Sequence, residues 1–259
     1  MEDTILVERR DDIAVVAINR PEKRNALRQD DWIAVGDALD ALGEDDDVRC
    51  VVLRGAGSEA FCAGADISGF EEERSSREKV RAYGAATDRA FVGAHTCRHP
   101  VIAMIHGFCL GGGFELALAC DLRISGMSGR FGIPAKNVGL YLSYDLVELL
   151  VDASSKATAK EILLEGRILP AFEAQSKNLI TRVVDDDGLE EEVMQAARRI
   201  AGGAPLSTRW HRQAIRRIAQ SGAYSEAELE AQYDYADTED YKAGYQAFLD
   251  RKKPVFKGR

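Results

Sequence analysis

Hydrophobic and polar residues alternate along Thr4–Arg10 and again along Ile13–Arg20, and this period of two predicts a pair of strands meeting at the turn-like Asp11-Asp12. From Asp30 to Asp45 the spacing changes: Trp32, Ile33, Val35, Leu39 and Leu42 fall near helical intervals. The apolar runs VRCVVLRG (48–55) and VIAMIHG (101–107) are short enough to be buried strands, and DLRIS (121–125) reads as another. Between the last two, GFCLGGGFELALACD (107–121) reads as a helix, and EEERSSREKVRAYGAATDRAFVGAH (71–95) as a helix that is polar and charged at its start. From about residue 142 the pattern is helical over 143–153, 156–166, 188–203, 206–220 and 225–252, with LITRVV (179–184) as the one interrupting strand. The rhythm of strand, strand and helix predicts an α/β fold with much of its sheet covered. We divide the chain into a core over 1–200 and a helical C-terminal region over 201–259, with no internal repeat or low-complexity linker.

Composition narrows the class. A chain of 259 residues, 46% hydrophobic and 30% charged, is long enough for one large globular domain. Its net charge of −9 argues against a nucleic-acid surface, so an anionic ligand needs locally gathered Lys and Arg. Charge or glycine breaks every apolar stretch well short of a membrane span, and the acidic start MEDT runs straight into strand-like alternation. The five cysteines lack C-x-x-C spacing and sit mostly in apolar runs, which predicts reduced core thiols in a cytoplasmic protein. His95 and His99 share a helical face, but HTCRHP supplies no third ligand and ends at proline, so no metal site is expected.

The chemistry gathers around Gly111, Gly112 and Gly113. Without a Cβ, these residues let a ligand atom approach their N–H groups, and the helix start at FELALAC adds partial positive charge. Such a place suits an oxygen that becomes negative during a reaction, an oxyanion hole. The alternative is that the glycines only allow a strand and a helix to pack closely. A nucleotide loop fits less well, because neither G-x-G-x-x-G nor a following Lys-Ser/Thr is present. Glu115, among Phe114, Leu116, Ala117, Leu118 and Ala119, is either a partner for the helix dipole or a buried acid tuned for proton transfer. A second N–H donor is available in AFCAGADISGF (60–70), where Ala63, Gly64 and Ala65 follow a strand; the plainer reading there is a turn capped by Asp66 or Ser68.

FCAGADI (61–67), IHGFCLGGGFELALACDLRIS (105–125) and FGIPAKNVGL (131–140) together resemble the crotonase (enoyl-CoA hydratase/isomerase) superfamily, as do NRPEKRNAL (19–27) and the ending YKAGYQAFLDRKKPVFKGR (241–259). The resemblance spans nearly the whole chain. It implies a crotonase-like spiral of strand-strand-helix units, a homotrimer or a hexamer made of two trimers, and acyl-CoA thioester chemistry with no cofactor beyond coenzyme A itself. It places the oxyanion-hole N–H groups on Ala65 and Gly112 and the acid/base on Glu115. It also implies that backbone around Ala63, Ala65 and Ile67 meets the adenine, that Asp66 and Gly111 belong to the substrate-binding segments, and that Lys23 and Arg24 meet the phosphates. Phe248 and Arg251 join from the C-terminal helix of a neighbouring subunit, where the region over 201–259 makes trimer contacts.

One departure from the family pattern bears on the reaction. Hydratases of the family carry a second glutamate just after FG-x-P, and this chain has Ala135 there. Ser143 falls where dehalogenase-like relatives have Asp, and Leu142 where decarboxylase-like relatives have Tyr. Tyr141 and Tyr144 read as acyl-pocket lining and Asp145 as a helix cap. One carboxylate can move both protons of a same-face hydration, or shift a double bond, so an enoyl-CoA hydratase or isomerase is expected. A decarboxylase of the same superfamily and a catalytically silent CoA-binding protein stay open.

Overall fold

Strands β1 (Ile5–Arg10) and β2 (Ile13–Ile18) pair antiparallel across a turn in which Asp11 takes φ 58°, a left-handed conformation that Asp tolerates. The computed structural model describes residues 3–219 and 222–259. Along the chain follow α1 (Gln29–Glu44), β3 (Cys50–Gly55), β4 (Ala60–Cys62), α2 (Phe70–Glu73), α3 (Arg77–Thr96), β5 (Val101–Ile105), β6 (Phe108–Leu110), α4 (Gly112–Ala119), β7 (Leu122–Gly126) and β8 (Arg130–Gly132). The remainder comprises α5 (Tyr144–Ala153), α6 (Lys156–Lys160), β9 (Leu169–Pro170), α7 (Ala171–Ser176), β10 (Arg182–Val184), α8 (Leu189–Ala201), α9 (Pro205–Ala219), α10 (Glu226–Ala231) and α11 (Glu239–Leu249).

Two sheets result. The larger runs β1-β2-β3-β5-β7-β10, parallel throughout except for the first pair; the smaller runs β4-β6-β8-β9. From β3 to β8 the chain lays one strand in the large sheet and the next in the small sheet, with a helix after each such pair. Side chains of the large sheet alternate between two apolar layers. Val16, Val51, Leu53, Ala103 and Ile105 face α1, α3 and α4, while Val15, Cys50, Val52, Ile102 and Met104 face Leu189, Val193 and Ala197 of α8. Burial on both faces explains why these strands read as continuous apolar runs. All five cysteines are free and buried.

Several elements differ from the periodicity reading. Residues 107–121 are not one helix: Phe108–Leu110 is β6, paired with β8, and Gly111 (φ 52°, ψ −130°) takes a backbone conformation that stops helix from extending backwards. The helix expected over 71–95 breaks at Arg74–Ser76, where Ser76 caps α3 by accepting from the Lys79 amide (3.2 Å). The run 225–252 splits in the same way, because Ser225 and Thr238 each start a new helix as N-caps. After α6 the chain makes a π-helical turn over Glu161–Glu165, for which we have no physical account. The short strand β9 is an addition, and the end of the 206–220 helix at Gln220 lies outside the described residues.

Helix α9 is docked by a buried cation. The Arg212 Nε donates to both carboxylate oxygens of Asp121 (2.6 and 2.7 Å), and its terminal nitrogens donate to the carbonyls of Cys97 and Ala94, the latter at 3.0 Å. Asp121 in turn accepts from the Val101 amide at the start of β5 (2.7 Å). Replacing Arg212 by Met leaves Asp121 half-buried without this partner, and we expect a loss of about 3–5 kcal/mol in a urea melt. An unchanged midpoint would show that α9 is held by other contacts.

Candidate active site

The segment Asn19–Leu27 acts as a brace. The buried Asn25 receives the Arg20 amide (3.0 Å) and donates to the Ala60 and Ala56 carbonyls (2.7 and 3.0 Å), tying the segment to β4. Arg20 reaches across to Asp31 (3.2 Å) and Asp66 (3.1 Å). Leu27 then forms a parallel bridge with Ala65: its N–H donates to the Gly64 carbonyl and its carbonyl accepts from the Asp66 N–H, both at 2.8 Å. In that pairing the N–H of Ala65 itself points away from the brace, and it has no acceptor among the described residues.

Opposite this loop stands the start of α4. Gly111 donates to the Gly132 carbonyl (2.9 Å), and its carbonyl accepts from Phe114 and Glu115, which leaves the Gly112 N–H without an acceptor among the described residues. The two segments touch. Gly64 (φ 94°) lies so close that a Cβ there would stand 2.8 Å from the Leu110 carbonyl and 3.2 Å from the Gly112 nitrogen. A glycine is required at 64 for both its backbone angle and this approach.

Glu115 follows on the first turns of α4. It is only 7% exposed, and its carboxylate makes no hydrogen bond among the described residues. The Gly112 side of the helix is nearest, a Cβ at Gly112 falling 3.8 Å from Glu115 Oε2. Burial pushes the Glu115 pKa up from 4.5 to about 7; the nearby Arg74 cation opposes that rise, and Asp88 adds to it. The site therefore holds two unpaired main-chain donors beside an acid whose protonation is balanced near neutrality.

The Enoyl-CoA hydratase/isomerase family profile matches residues 8–259. The chain belongs to the enoyl-CoA hydratase/isomerase family. A crotonyl-CoA hydratase from Syntrophomonas wolfei is 33% identical over 98% of both chains, and an (E)-benzylidenesuccinyl-CoA hydratase from Thauera aromatica is 32% identical over 95% of this chain and 96% of its own. The crystal structure of an enoyl-CoA hydratase/carnithine racemase from Magnetospirillum magneticum superposes with a TM-score of 0.97 at 42% identity, covering 100% of this chain and 97% of the other. The fold is thus the crotonase-like α/β fold, and the protein is an enzyme of the enoyl-CoA hydratase/isomerase family.

Within this family member, the other residues singled out from the sequence fall in distinct places. Ala63 donates to the Arg24 carbonyl (3.0 Å), and Ile67 is exposed beside it. The Asp66 side chain is occupied, accepting from the Ser68 amide (3.1 Å) and hydroxyl (2.6 Å) as well as from Arg20; these bonds, Ser68 first, hold its pKa below the ordinary value. The capping reading of Asp66 therefore describes its side chain. Arg24 pairs with Glu59 (2.6 Å) and lies over the Phe108 ring, whereas Lys23 is exposed with no ion pair among the described residues.

The segment after β8 is more open. Ala135 begins a single 3-10 turn packed on the core, and Ser143 is the N-cap residue of α5, though its hydroxyl makes no capping bond. Tyr141 and Tyr144 are each 82% exposed in the single chain, and Asp145, in the first turn of α5, acts on Asp88, whose pKa is raised by burial first and by Asp145 second. Phe248, 83% exposed, lies in the last turn of α11 and Arg251 just beyond it, and no hydrogen bond, ion pair or ring contact among the described residues joins them to the 63–67 or 111–115 segments.

Three residues near the site carried no chemical signal in the sequence. The Trp32 ring of α1 lies against Gly112, where a Cβ would come within 3.0 Å of it. Its Nε1 donates to the Tyr83 hydroxyl (3.0 Å), which donates onward to the Leu27 carbonyl (3.2 Å). Arg74 stacks on the Tyr83 ring with its Cζ 3.7 Å from the centroid. Trp32 reads from sequence as an apolar position on a helix, and nothing local says which helix faces which loop.

Proposed function

We propose that the protein hydrates or isomerises an enoyl-CoA thioester, using the Ala65 and Gly112 amides as an oxyanion hole and Glu115 as the single acid and base. The observation that carries this reading is the buried, unbonded Glu115 carboxylate lying next to the open Gly112 amide. In a hydration, the thioester oxygen accepts from both amides and takes on enolate charge as water adds. Glu115 removes a proton from the water while its oxygen bonds to C3, then returns a proton to C2 on the same face. The macrodipole of α4 favours the negative charge at its N-terminus. A carboxyl group near pH 7 suits both halves of this transfer, since neither form is held too strongly.

Coenzyme A is then part of the substrate, and no separate cofactor is required. The 63–67 backbone is the adenine contact in this reading, with Lys23 and Arg24 as exposed cations for the phosphates. Phe248 and Arg251, together with the exposed apolar residues Leu249 and Val255, belong to contacts between copies in a trimer or a pair of trimers. The named relatives act on crotonyl and benzylidenesuccinyl thioesters, so family membership leaves the acyl group open. A cytoplasmic location fits the buried free thiols, and no helix among the described residues is long and apolar enough to cross a membrane.

A panel of 2-enoyl-, 3-enoyl- and 2-carboxyacyl-CoA thioesters, followed by mass and ultraviolet absorbance, tests the reaction. We expect mass gain by one water from a 2-enoyl thioester or a shifted double bond from a 3-enoyl one. Release of CO₂ from the carboxylated thioester without either change would instead select a decarboxylase, the reading that Ala135 keeps open. Binding of all three with no turnover would indicate a silent CoA-binding protein.

A further inference from the structure

Arg74 is a cation with no ion-pair partner among the described residues. It follows three glutamates, Glu71–Glu73, yet its Nε is buried with no hydrogen-bond acceptor. The side chain is nonetheless held in place. Its Cζ sits 4.3 Å from the Phe70 ring centroid and 3.7 Å from that of Tyr83, and the two rings meet edge to face. Stacking on ring faces fixes the guanidinium plane and leaves terminal N–H donors at its edge.

The position of this edge relative to the site follows from a chain of contacts. Tyr83 receives the Trp32 indole N–H, the Trp32 ring abuts Gly112, and Gly112 borders Glu115 Oε2. Arg74 is also the cation that acts on Glu115 against the effect of burial. An acyl chain with its thioester oxygen at Gly112 and its C2 and C3 beside Glu115 would approach the Arg74 guanidinium if it continued past Glu115 towards Tyr83. A partly buried guanidinium is costly unless something supplies the opposite charge, and a carboxylate matches its planar fork.

We propose that Arg74 binds a carboxylate at the far end of the acyl group, so that the enzyme selects thioesters of dicarboxylic acids; this rests on the acyl-CoA reading given above. Glu115 and Asp88 would repel such a carboxylate if Arg74 were absent, which sharpens the contrast expected on its removal.

Calorimetric titration of the full chain with saturated thioesters tests the idea without requiring turnover. Three pairs are compared: butanoyl- with butanedioyl-CoA, hexanoyl- with hexanedioyl-CoA, and octanoyl- with octanedioyl-CoA. The expected result is one pair or more in which the dicarboxylic member binds about 10- to 100-fold tighter. Arg74→Met, which keeps bulk against the rings, should erase that preference, and Arg74→Lys should keep part of it. Equal binding within every pair overturns the assignment while the acyl-CoA reading stands. So does an equal loss for both members in Arg74→Met, which would put Arg74 against the CoA phosphates. If none of the six binds, the acyl-CoA reading itself fails and takes this inference with it.

Discussion

Replacing Glu115 by glutamine is expected to lower turnover of the active thioester by about 10²–10⁴-fold while making the protein more stable at alkaline pH. The first effect follows because glutamine fills the same space but can neither take a proton from water nor return one. The second follows from the pKa, which burial raises from 4.5 to about 7. Between those values the folded chain holds the Glu115 proton more tightly than the unfolded chain. Its stability contribution is therefore complete below about pH 4.5 and is lost as the pH rises through 7. Above pH 7 the wild type carries a buried charge with no hydrogen-bond partner, and the variant does not. The difference is on the order of 3 kcal/mol. Thermal melts of both proteins at pH 5.5 and pH 8.5 measure it: the variant should gain markedly more at the higher pH. In the same range the wild-type kcat/KM should rise as pH passes 7, because water is activated by the carboxylate form. Parallel pH–stability curves for the two proteins would mean that Glu115 is solvated, and full activity in the variant would remove it from the chemistry.

Gly113→Ala is expected to cost about 3 kcal/mol or more, and to reduce activity further by displacing the start of α4. A Cβ at this position would lie 2.2 Å from the Cys62 carbonyl oxygen and 2.7 Å from the Cys62 Cβ. Both belong to β4, in the small sheet, and neither is the end of a flexible side chain. Relief requires α4 to move away from β4, which carries the Gly112 amide away from Ala65. Gly84→Ala supplies the comparison, since a Cβ there meets nothing within 4 Å on a regular stretch of α3. That change should stabilise by about 0.5–1 kcal/mol. Urea denaturation of the two variants reads both effects, and a mild result at Gly113 would show that the helix and strand have room to separate.

The three consecutive glycines thus have separate reasons to be glycine. Gly111 supplies a backbone turn closed to side chains, Gly112 offers an open amide against the Trp32 ring, and Gly113 permits close packing on β4. From the sequence, ligand approach and tight packing looked like competing explanations; Gly113 is packed tightly on β4, while one residue earlier the Gly112 amide has no acceptor among the described residues. The break at Arg74–Ser76 shows the converse limit. The pattern over 71–95 reads as one helix, and the structure alone shows that Ser76 caps a new one while Arg74, in the break, docks on Phe70 and Tyr83. Tyr141 and Tyr144, on the loop after Gly139, are exposed in the single chain.

The linear order of residues was enough for the strands of the large sheet and for most helices, and it singled out Glu115 and the 63–65 and 111–113 segments, which the fold brings together. Those features depend on side-chain period and on residues a few positions apart. The small sheet and the opening of the two amides were decided only in three dimensions. The Ala65 N–H has no acceptor among the described residues because Leu27, far away in the chain, bonds to its neighbours on either side, and Glu115 is perturbed because α4 is packed against α3, α5 and strands β4 and β6. Hydrogen-bond partners and local dielectric are set by what the fold brings near, and sequence distance does not encode them.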